Sequence, residues 1–166
     1  MENASESTIK GTGVVAGVAY AEAVWVRPRP ALPTEGSIDP EQASESEYNR
    51  FLAAVDTVAN RLEKRAAAAE GQAAEVLTAT AGMVKDRGWH KTVRKNIRTG
   101  RNAEFATVGA TDKFVTMFEA AGGVMAERTT DLKDVRDRVI AELRGEDEPG
   151  LPLVDGEAVL LSLIHI

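Results

Sequence analysis

Apolar residues recur at three- and four-residue spacing over most of residues 38–147, which predicts a series of amphipathic helices. The predicted helices span residues 39–70, 73–99, 102–121 and 124–145. Only short polar connections separate them, so the pattern is typical of an antiparallel four-helix bundle.

Several residues mark where these helices begin or break. Asp39-Pro40 predicts the first helix start, since Asp caps a helix and Pro suits its first position. Asn102 can cap the third helix in the same way. Gly88 lies inside the second helix and predicts a break between Asp86 and Trp89.

The last helix has the clearest pattern of apolar and charged positions. Its inner stripe consists of Met125, Leu132, Val135, Val139 and Leu143. Asp134 and Arg138 are four residues apart, in the order that favours an ion pair on a helix. Asp137 is predicted to point away from the core, and Gly145 to end the helix.

The segments that flank the bundle have a different pattern. Between residues 9 and 26 both faces are apolar, which predicts a buried strand near 12–27, or two strands broken near Gly17. A second strand is predicted near 156–160. Proline- and glycine-rich connections at 27–37 and 148–152 separate these strands from the helices.

Composition and charge exclude several classes of function. The chain of 166 residues has a net charge of -6, which disfavours a nucleic-acid partner. It has no cysteine, which excludes disulfides and thiolate metal sites and is compatible with the predicted cytoplasmic location. The run 14–26 is too short to span a bilayer. The sequence predicts no metal site.

Two motifs carry a resemblance to a known family. The pattern E-R-x-x-D-x-x-D-x-x-x-R-x-x-x-x-L resembles the last helix of the helical subdomain in enzyme I, the phosphoenolpyruvate–protein phosphotransferases. Its matching residues are Glu127, Arg128, Asp131, Asp134, Arg138 and Leu143. Residues 11–20 resemble the family's opening motif through Gly11 and Gly17, whereas Val15, Ala16 and Ala21 depart from it.

The resemblance implies a mainly α fold, in which a four-helix HPr-binding bundle is inserted into an incomplete α/β phosphohistidine (swivelling) domain. On this basis the chain divides into a disordered tail (1–8), first strands and linker (9–37), the helical subdomain (38–147), the return into the α/β domain (148–160) and a tail (161–166). The last six residues are those that a common transposon-derived sequencing adapter encodes, which predicts an artefactual terminus. A natural strand end is the alternative.

The family transfers a phosphoryl group from phosphoenolpyruvate to a histidine of HPr, a kinase-type reaction in sugar transport. The acceptor-histidine motif is missing: His90 is interpreted as a surface helix residue, and His165 belongs to the tail. We therefore expect no catalytic residue and no activity in this fragment. Mg²⁺ and homodimerisation are expected only of the full-length family.

The resemblance also implies a surface that receives HPr. The corresponding partner-binding positions are Met83, Val84, Trp89, Met117 and Arg128. Methionine adapts to partner shape, and tryptophan and arginine are favoured at interfaces. Alternatively, the methionines belong to the core and Arg128 ties helices together through Asp131. Lys85 and Arg87 depart from the acidic residues expected opposite HPr.

Three functional hypotheses remain open at the level of sequence. The first is the amino-terminal part of phosphoenolpyruvate–protein phosphotransferase. The second is a related multidomain phosphotransferase, such as the nitrogen-branch enzyme or the dihydroxyacetone kinase phosphotransfer subunit. The third is a non-enzymatic helical adaptor.

Overall fold

The computed structural model describes residues 15–152, 154 and 156–162. Its helices are α1 Pro40–Ala68, α2 Gly71–Val84, α3 Arg87–Arg98, α4 Ala103–Ala121, α5 Gly123–Glu127 and α6 Thr129–Arg144. Its strands are β1 Glu22–Trp25 and β2 Ala158–Leu161. This mainly helical bundle with a small strand pair confirms the predicted fold class. The predicted tail 1–8 and Gly11 lie outside the described residues, as does His165.

Side-chain caps begin two of the helices as predicted. Asp39 Oδ1 accepts a hydrogen bond from the backbone N–H of Glu41 at 3.0 Å, at the start of α1. Asn102 Oδ1 accepts from the N–H of Phe105 at 2.9 Å, at the start of α4. Each cap satisfies a backbone donor that has no partner within its own helix.

The second and fourth predicted helices are each divided in two. The second breaks at residues 85–86, slightly before the predicted position, because Asp86 itself caps α3. Gly88 consequently lies inside α3. The fourth is interrupted at Arg128, which separates α5 from α6. Gly122 and Gly123, both with positive φ, form the preceding junction.

The core forms around α1, which contacts the four other long helices. Its largest buried side chains are Phe51, Val55, Val58, Leu62, Val84, Trp89, Val93, Ile97, Val135 and Val139. The rings of Phe51 and Trp89 meet edge to face, with centroids 5.4 Å apart. This contact joins α3 to α1 with the geometry that aromatic pairs prefer.

The strand region differs from its prediction. Strand β1 pairs in parallel with β2, Glu22 opposite Ala158. The predicted buried strand does not extend through residues 15–21, where Val18 and Tyr20 are fully exposed. Apolar strand faces are buried only where another layer covers them. Within the described parts of the chain, β2 is the sole strand paired with β1.

The two connections between bundle and strands run side by side. The N–H of Arg27 donates to the carbonyl oxygen of Gly150 at 2.9 Å, and the N–H of Gly150 donates to Arg27 O at 3.0 Å. Beyond this bridge lie β1 on one side and β2 on the other. The strand pair therefore leaves the bundle at a single place.

Candidate docking site

A hollow of about 360 Å³ opens between α2, α3, α4 and α6. We call it the docking hollow; its lining residues are Ala79, Gly82, Met83, Asp86, Trp89, Phe114, Phe118, Arg128 and Leu132. The lining is mostly apolar, with one carboxylate and one guanidinium. Such a composition suits the binding of an apolar side chain whose surroundings are polar.

Local hydrogen bonds fix the floor of the docking hollow. Asp86 Oδ1 accepts from the backbone N–H of Trp89 at 2.6 Å, so the cap of α3 also positions Trp89. The indole N–H of Trp89 donates to Thr111 Oγ1 at 3.2 Å on α4. A buried indole N–H needs such a partner, and this one joins α3 to α4.

The side of the docking hollow on α2 and α4 follows from helical spacing. Ala79 and Gly82 lie on the face of α2 that carries Met83, and their small size leaves room for the cavity. Phe114 and Phe118 are one turn apart on α4, with ring centroids 6.3 Å from each other. Both rings are half-buried, so they supply an apolar wall that a partner can still contact.

The structure brings together three of the five predicted partner-binding residues. Met83, Trp89 and Arg128 line the docking hollow. Met117 is 52% exposed on α4 but does not line it. Their role in binding a partner stays a prediction.

Two of these five residues are less accessible than predicted. Val84 and Trp89 are both 0% exposed, so neither is a free surface anchor. Asp86 caps α3 by accepting from the backbone N–H of Trp89, and the Trp89 ring packs against Phe51. Val84 belongs to the same core. Trp89 lines the hollow, whereas Val84 does not.

Sequence reasoning missed several lining residues. Phe114 and Phe118 show the four-residue spacing of a helix face, and that spacing alone does not distinguish core from cleft. Met125 was predicted on the inner stripe, but it is 41% exposed on α5, where Val124 is 67% exposed. The turn at Arg128 separates α5 from α6, so a single continuous stripe does not describe both helices.

Several residues that match the family motifs are exposed and make few contacts. Glu127 and Asp131 are exposed, and no ion pair in the described part of the chain joins Arg128 to Asp131. Gly17 lies in an exposed segment, where an added Cβ would meet no atom within 4 Å. Arg128 is therefore free of the helix-tying role that the alternative hypothesis gave it.

Asp134 and Arg138 form the predicted ion pair, with Arg138 Nε donating to Asp134 Oδ2 at 2.7 Å. Arg138 also donates to Glu148, which accepts from Arg65 at 3.1 Å. Burial opposes the charge on Arg138, but the hydrogen bonds and charges of both carboxylates outweigh it and raise the pKa of the guanidinium. This network holds Glu148, in the segment that follows α6, against α1 and α6.

The interpretation of Asp137 was wrong. It does not point to solvent but is 1% exposed. Its Oδ1 accepts from Arg136 Nε at 2.8 Å, and its Oδ2 lies 3.7 Å from Nε of Arg29 in the first connection. The connection 27–37 therefore covers the side of α6 opposite its apolar stripe. A second contact there is the hydrogen bond that Arg144 Nη1 donates to Ala31 O at 2.6 Å.

His90 is likewise less exposed than predicted. Its ring is half-buried, and its Nε2 lies 2.7 Å from the carbonyl oxygen of Val84. The imidazole also meets the ring of Phe51 edge to face at 5.3 Å. Because Nε2 donates to that carbonyl, the imidazole joins α2 to α3 as a structural group.

A larger hollow of about 560 Å³ lies beside the connections, at the C-terminal half of α1. Its charged lining residues are Arg27, Arg61, Lys64, Arg65, Glu146, Asp147 and Glu148. Opposite charges pair there, for example Arg27 with Asp147 at 3.4 Å. The paired charges make this hollow a poor anion site.

No group of three or more His, Cys, Asp or Glu residues in the described ranges has the arrangement of a metal site. Among the described helices, none has the length and apolar character needed to cross a membrane.

Comparisons with known proteins agree with the resemblance in the motifs. Residues 10–128 match the family model described as "PEP-utilising enzyme, N-terminal". The chain is 36% identical over 157 residues to phosphoenolpyruvate-protein phosphotransferase of Streptomyces coelicolor, covering 95% of this chain and 28% of that relative.

Two solved structures share the fold. An NMR solution structure of Enzyme I (nEIt) matches with a TM-score of 0.74 and 20% identity, covering 88% of this chain and 61% of that one. The N-terminal domain of Enzyme 1 - Nitrogen matches with a TM-score of 0.57 and 23% identity, covering 81% and 63%.

The chain thus spans little more than a quarter of the length of its curated relatives. The family model, in contrast, matches most of the chain. The resemblance inferred from the motifs is confirmed, and the chain belongs to the family of PEP-utilising enzymes, N-terminal region.

Proposed function

We propose that the chain is the amino-terminal part of a phosphoenolpyruvate–protein phosphotransferase, and that its docking hollow receives HPr. The whole enzyme would move a phosphoryl group from phosphoenolpyruvate to a histidine of HPr. It would require Mg²⁺, act in the cytoplasm and form a homodimer through another domain.

The observation that carries this proposal is the composition of the docking hollow. Met83 and Arg128 are 45 positions apart in the sequence, yet both line one cavity with Trp89 beneath them. Exposed apolar side chains continue the surface on α4 and α5, at Met117 and Val124. A polar-rimmed apolar patch of this kind is typical of a protein–protein contact.

The described residues support docking and do not provide the transfer step. An acceptor histidine needs a free imidazole nitrogen beside groups that stabilise a phosphate. His90 uses Nε2 to bind Val84 O and lies against Phe51. We therefore assign this chain the binding of HPr, and expect the fragment to be inactive by itself.

Titration calorimetry with HPr from the same organism tests the proposal. Met83→Ala, Met117→Ala and Arg128→Ala should each weaken binding by about 1–3 kcal/mol, as interface anchors do. The matched control is Leu151→Ala, because Leu151 is 50% exposed but lines the other hollow. This control should bind HPr with the parent affinity.

Melting curves on the same variants separate binding from folding. Arg128 is exposed and unpaired with Asp131, so Arg128→Ala should leave the unfolding midpoint unchanged. A core residue behaves differently, since its truncation lowers that midpoint. If HPr affinity survives all three substitutions in folded protein, the proposed docking site is wrong.

A further inference from the structure

The methionines of the described residues all lie at or near the docking hollow. The sequence has four methionines and no cysteine. Met1 lies outside the described residues, and the other three are Met83, Met117 and Met125. Met83 lines the docking hollow, whereas Met117 is on α4 and Met125 is on α5, the short helix between α4 and α6.

Two of these methionines are placed by residues that line the hollow. At about 100° per residue, Met117 lies about 60° around α4 from Phe114, which is part of the lining. The carbonyl oxygen of Met125 accepts a hydrogen bond from the backbone N–H of Arg128, another lining residue, at 3.2 Å. Each methionine therefore lies on, or one turn away from, an element that forms the hollow.

All three side chains are accessible to small molecules in water. Met117 is 52% exposed and Met125 is 41% exposed, while Met83 is half-buried. The fully buried core of the described residues contains aliphatic, alanine and aromatic side chains but no methionine. A thioether that solvent reaches can be oxidised by a peroxide, so none of the three is protected by the core.

Oxidation of a methionine removes the property that an apolar docking surface needs. Hydrogen peroxide gives one oxygen atom to the thioether: its O–O bond breaks, an S–O bond forms, the sulfur loses two electrons, and the peroxide is reduced to water. The product is polar, whereas the thioether is apolar and adapts to the shape of a partner. The new oxygen needs a hydrogen-bond donor, which the neighbouring lining residues Ala79, Phe114 and Phe118 do not supply.

We propose that Met83, Met117 and Met125 form an oxidative modification site, at which conversion to methionine sulfoxide weakens the binding of HPr and reduction restores it. This inference rests on the proposed function and adds control by an oxidant to the same docking site. Because the chain has no cysteine, no thiol within it competes for the oxidant. Methionine sulfoxide reductases reverse the modification, so the loss of binding is recoverable.

Met83 is the residue at which oxidation should weaken binding most. It lines the hollow itself, whereas Met117 and Met125 are more exposed and do not. Residues in the desolvated centre of an interface carry most of its binding energy, and those at the rim carry little. Met83 also packs against the core, so the folded state of the oxidised chain has to be measured together with its binding.

Calorimetric titration with HPr, before and after treatment of the chain with hydrogen peroxide, tests the inference. Peptide mass spectrometry should find one added oxygen atom on each of the three methionines, and the HPr affinity should fall about tenfold. Methionine sulfoxide reductases, one for each epimer of the sulfoxide, should restore the affinity. Melting curves should show that the oxidised chain is folded at the titration temperature.

Variants of the chain identify the sulfur atoms that are responsible. Met83→Leu/Met117→Leu/Met125→Leu keeps similar side-chain volumes and has no sulfur at these sites. Whatever its own affinity for HPr, this variant should show the same affinity before and after peroxide. The matched control adds Leu151→Met to it, because Leu151 is 50% exposed but lines the other hollow. Peroxide should oxidise the introduced methionine without changing the HPr affinity.

The outcomes separate this inference from the docking proposal. If the oxidised parent binds HPr as tightly as the untreated parent while Arg128→Ala weakens binding, the oxidation inference is wrong and the docking proposal stands. The inference also fails if the triple variant loses as much affinity on oxidation as the parent, or if the oxidised parent is unfolded at the titration temperature. Should the triple variant not bind HPr, recovery of the parent's affinity by the reductases decides. If the untreated parent does not bind HPr, both proposals fail.

Discussion

Arg65 on α1 donates a hydrogen bond from Nη2 to Oε2 of Glu148 at 3.1 Å, and so joins the first long helix to the connection that follows the last. Glu148 also accepts from Arg138 on α6. Its side chain is 9% exposed, so a single carboxylate pairs with two partly buried cations.

Replacing this carboxylate should destabilise the bundle. Glu148→Gln should lower the free energy of unfolding by about 2 kcal/mol, because two cations lose their shared charge partner. Glu142→Gln is the control: it removes the pair with Arg61 at 2.7 Å, which is more exposed and should contribute under about 1 kcal/mol. Urea denaturation of both variants measures the difference. Equal losses would mean that Glu148 is no more than a surface partner.

Replacing Asp137 should lower the free energy of unfolding more than replacing Arg29, which lies 3.7 Å from it. Asp137→Asn should cost about 2 kcal/mol, because the guanidinium of Arg136 would remain buried without a carboxylate. Arg29→Gln should cost less than about 1 kcal/mol, since Arg29 is 65% exposed and 3.7 Å away. Thermal melts at one pH would compare them. A larger effect at Arg29 would show that the first connection, not α6, depends on this carboxylate.

Periodicity alone predicted the helices because each has one dominant apolar face. It could not predict a helix covered on two sides. At about 100° per residue, Asp137 lies about 155° around α6 from the centre of its apolar stripe. Residues 27–37 cover that side, where Arg29 lies 3.7 Å from Asp137 and Ala31 O accepts from Arg144. The sequence pattern contains no information about which loop returns to cover a helix.

The sequence also predicted only part of the docking hollow. The family resemblance identified Met83, Trp89 and Arg128, which the fold brings together. They did not indicate that Trp89 is buried, because its burial depends on the cap at Asp86 and on contact with Phe51. The walls at Phe114 and Phe118 arise from packing between helices, which spacing within one helix does not reveal.

Phosphoenolpyruvate and Mg²⁺ should leave this chain unphosphorylated. The acceptor-histidine motif is missing from the sequence, and His90 has a structural place instead: its Nε2 donates to Val84 O and its half-buried ring lies against Phe51. Intact-mass measurement under conditions that preserve phosphohistidine checks the expectation. As a control, His90→Gln should give the same unmodified mass. A mass increase of one phosphate in the parent that disappears in His90→Gln would contradict it.

Asp86 has two roles: it caps α3, and it lines the docking hollow. Its effects on stability and on binding can be measured separately. Asp86→Ala removes the acceptor for Trp89 N, and should lower the free energy of unfolding by about 1 kcal/mol, as loss of a helix cap does. Asp39→Ala removes the equivalent cap of α1, where Oδ1 accepts from Glu41 N at 3.0 Å, and should cost a similar amount.

The two variants should differ in binding. Asp39 does not line the docking hollow, so Asp39→Ala should bind HPr with the parent affinity once folded. Asp86→Ala should bind more weakly, because the start of α3 and the position of Trp89 at the floor of the hollow both depend on this cap. Denaturation and calorimetry on the two proteins, at a temperature where both are fully folded, measure the two quantities separately. Equal affinities would show that the hollow tolerates loss of the cap, and that Asp86 acts only on the stability of the helix.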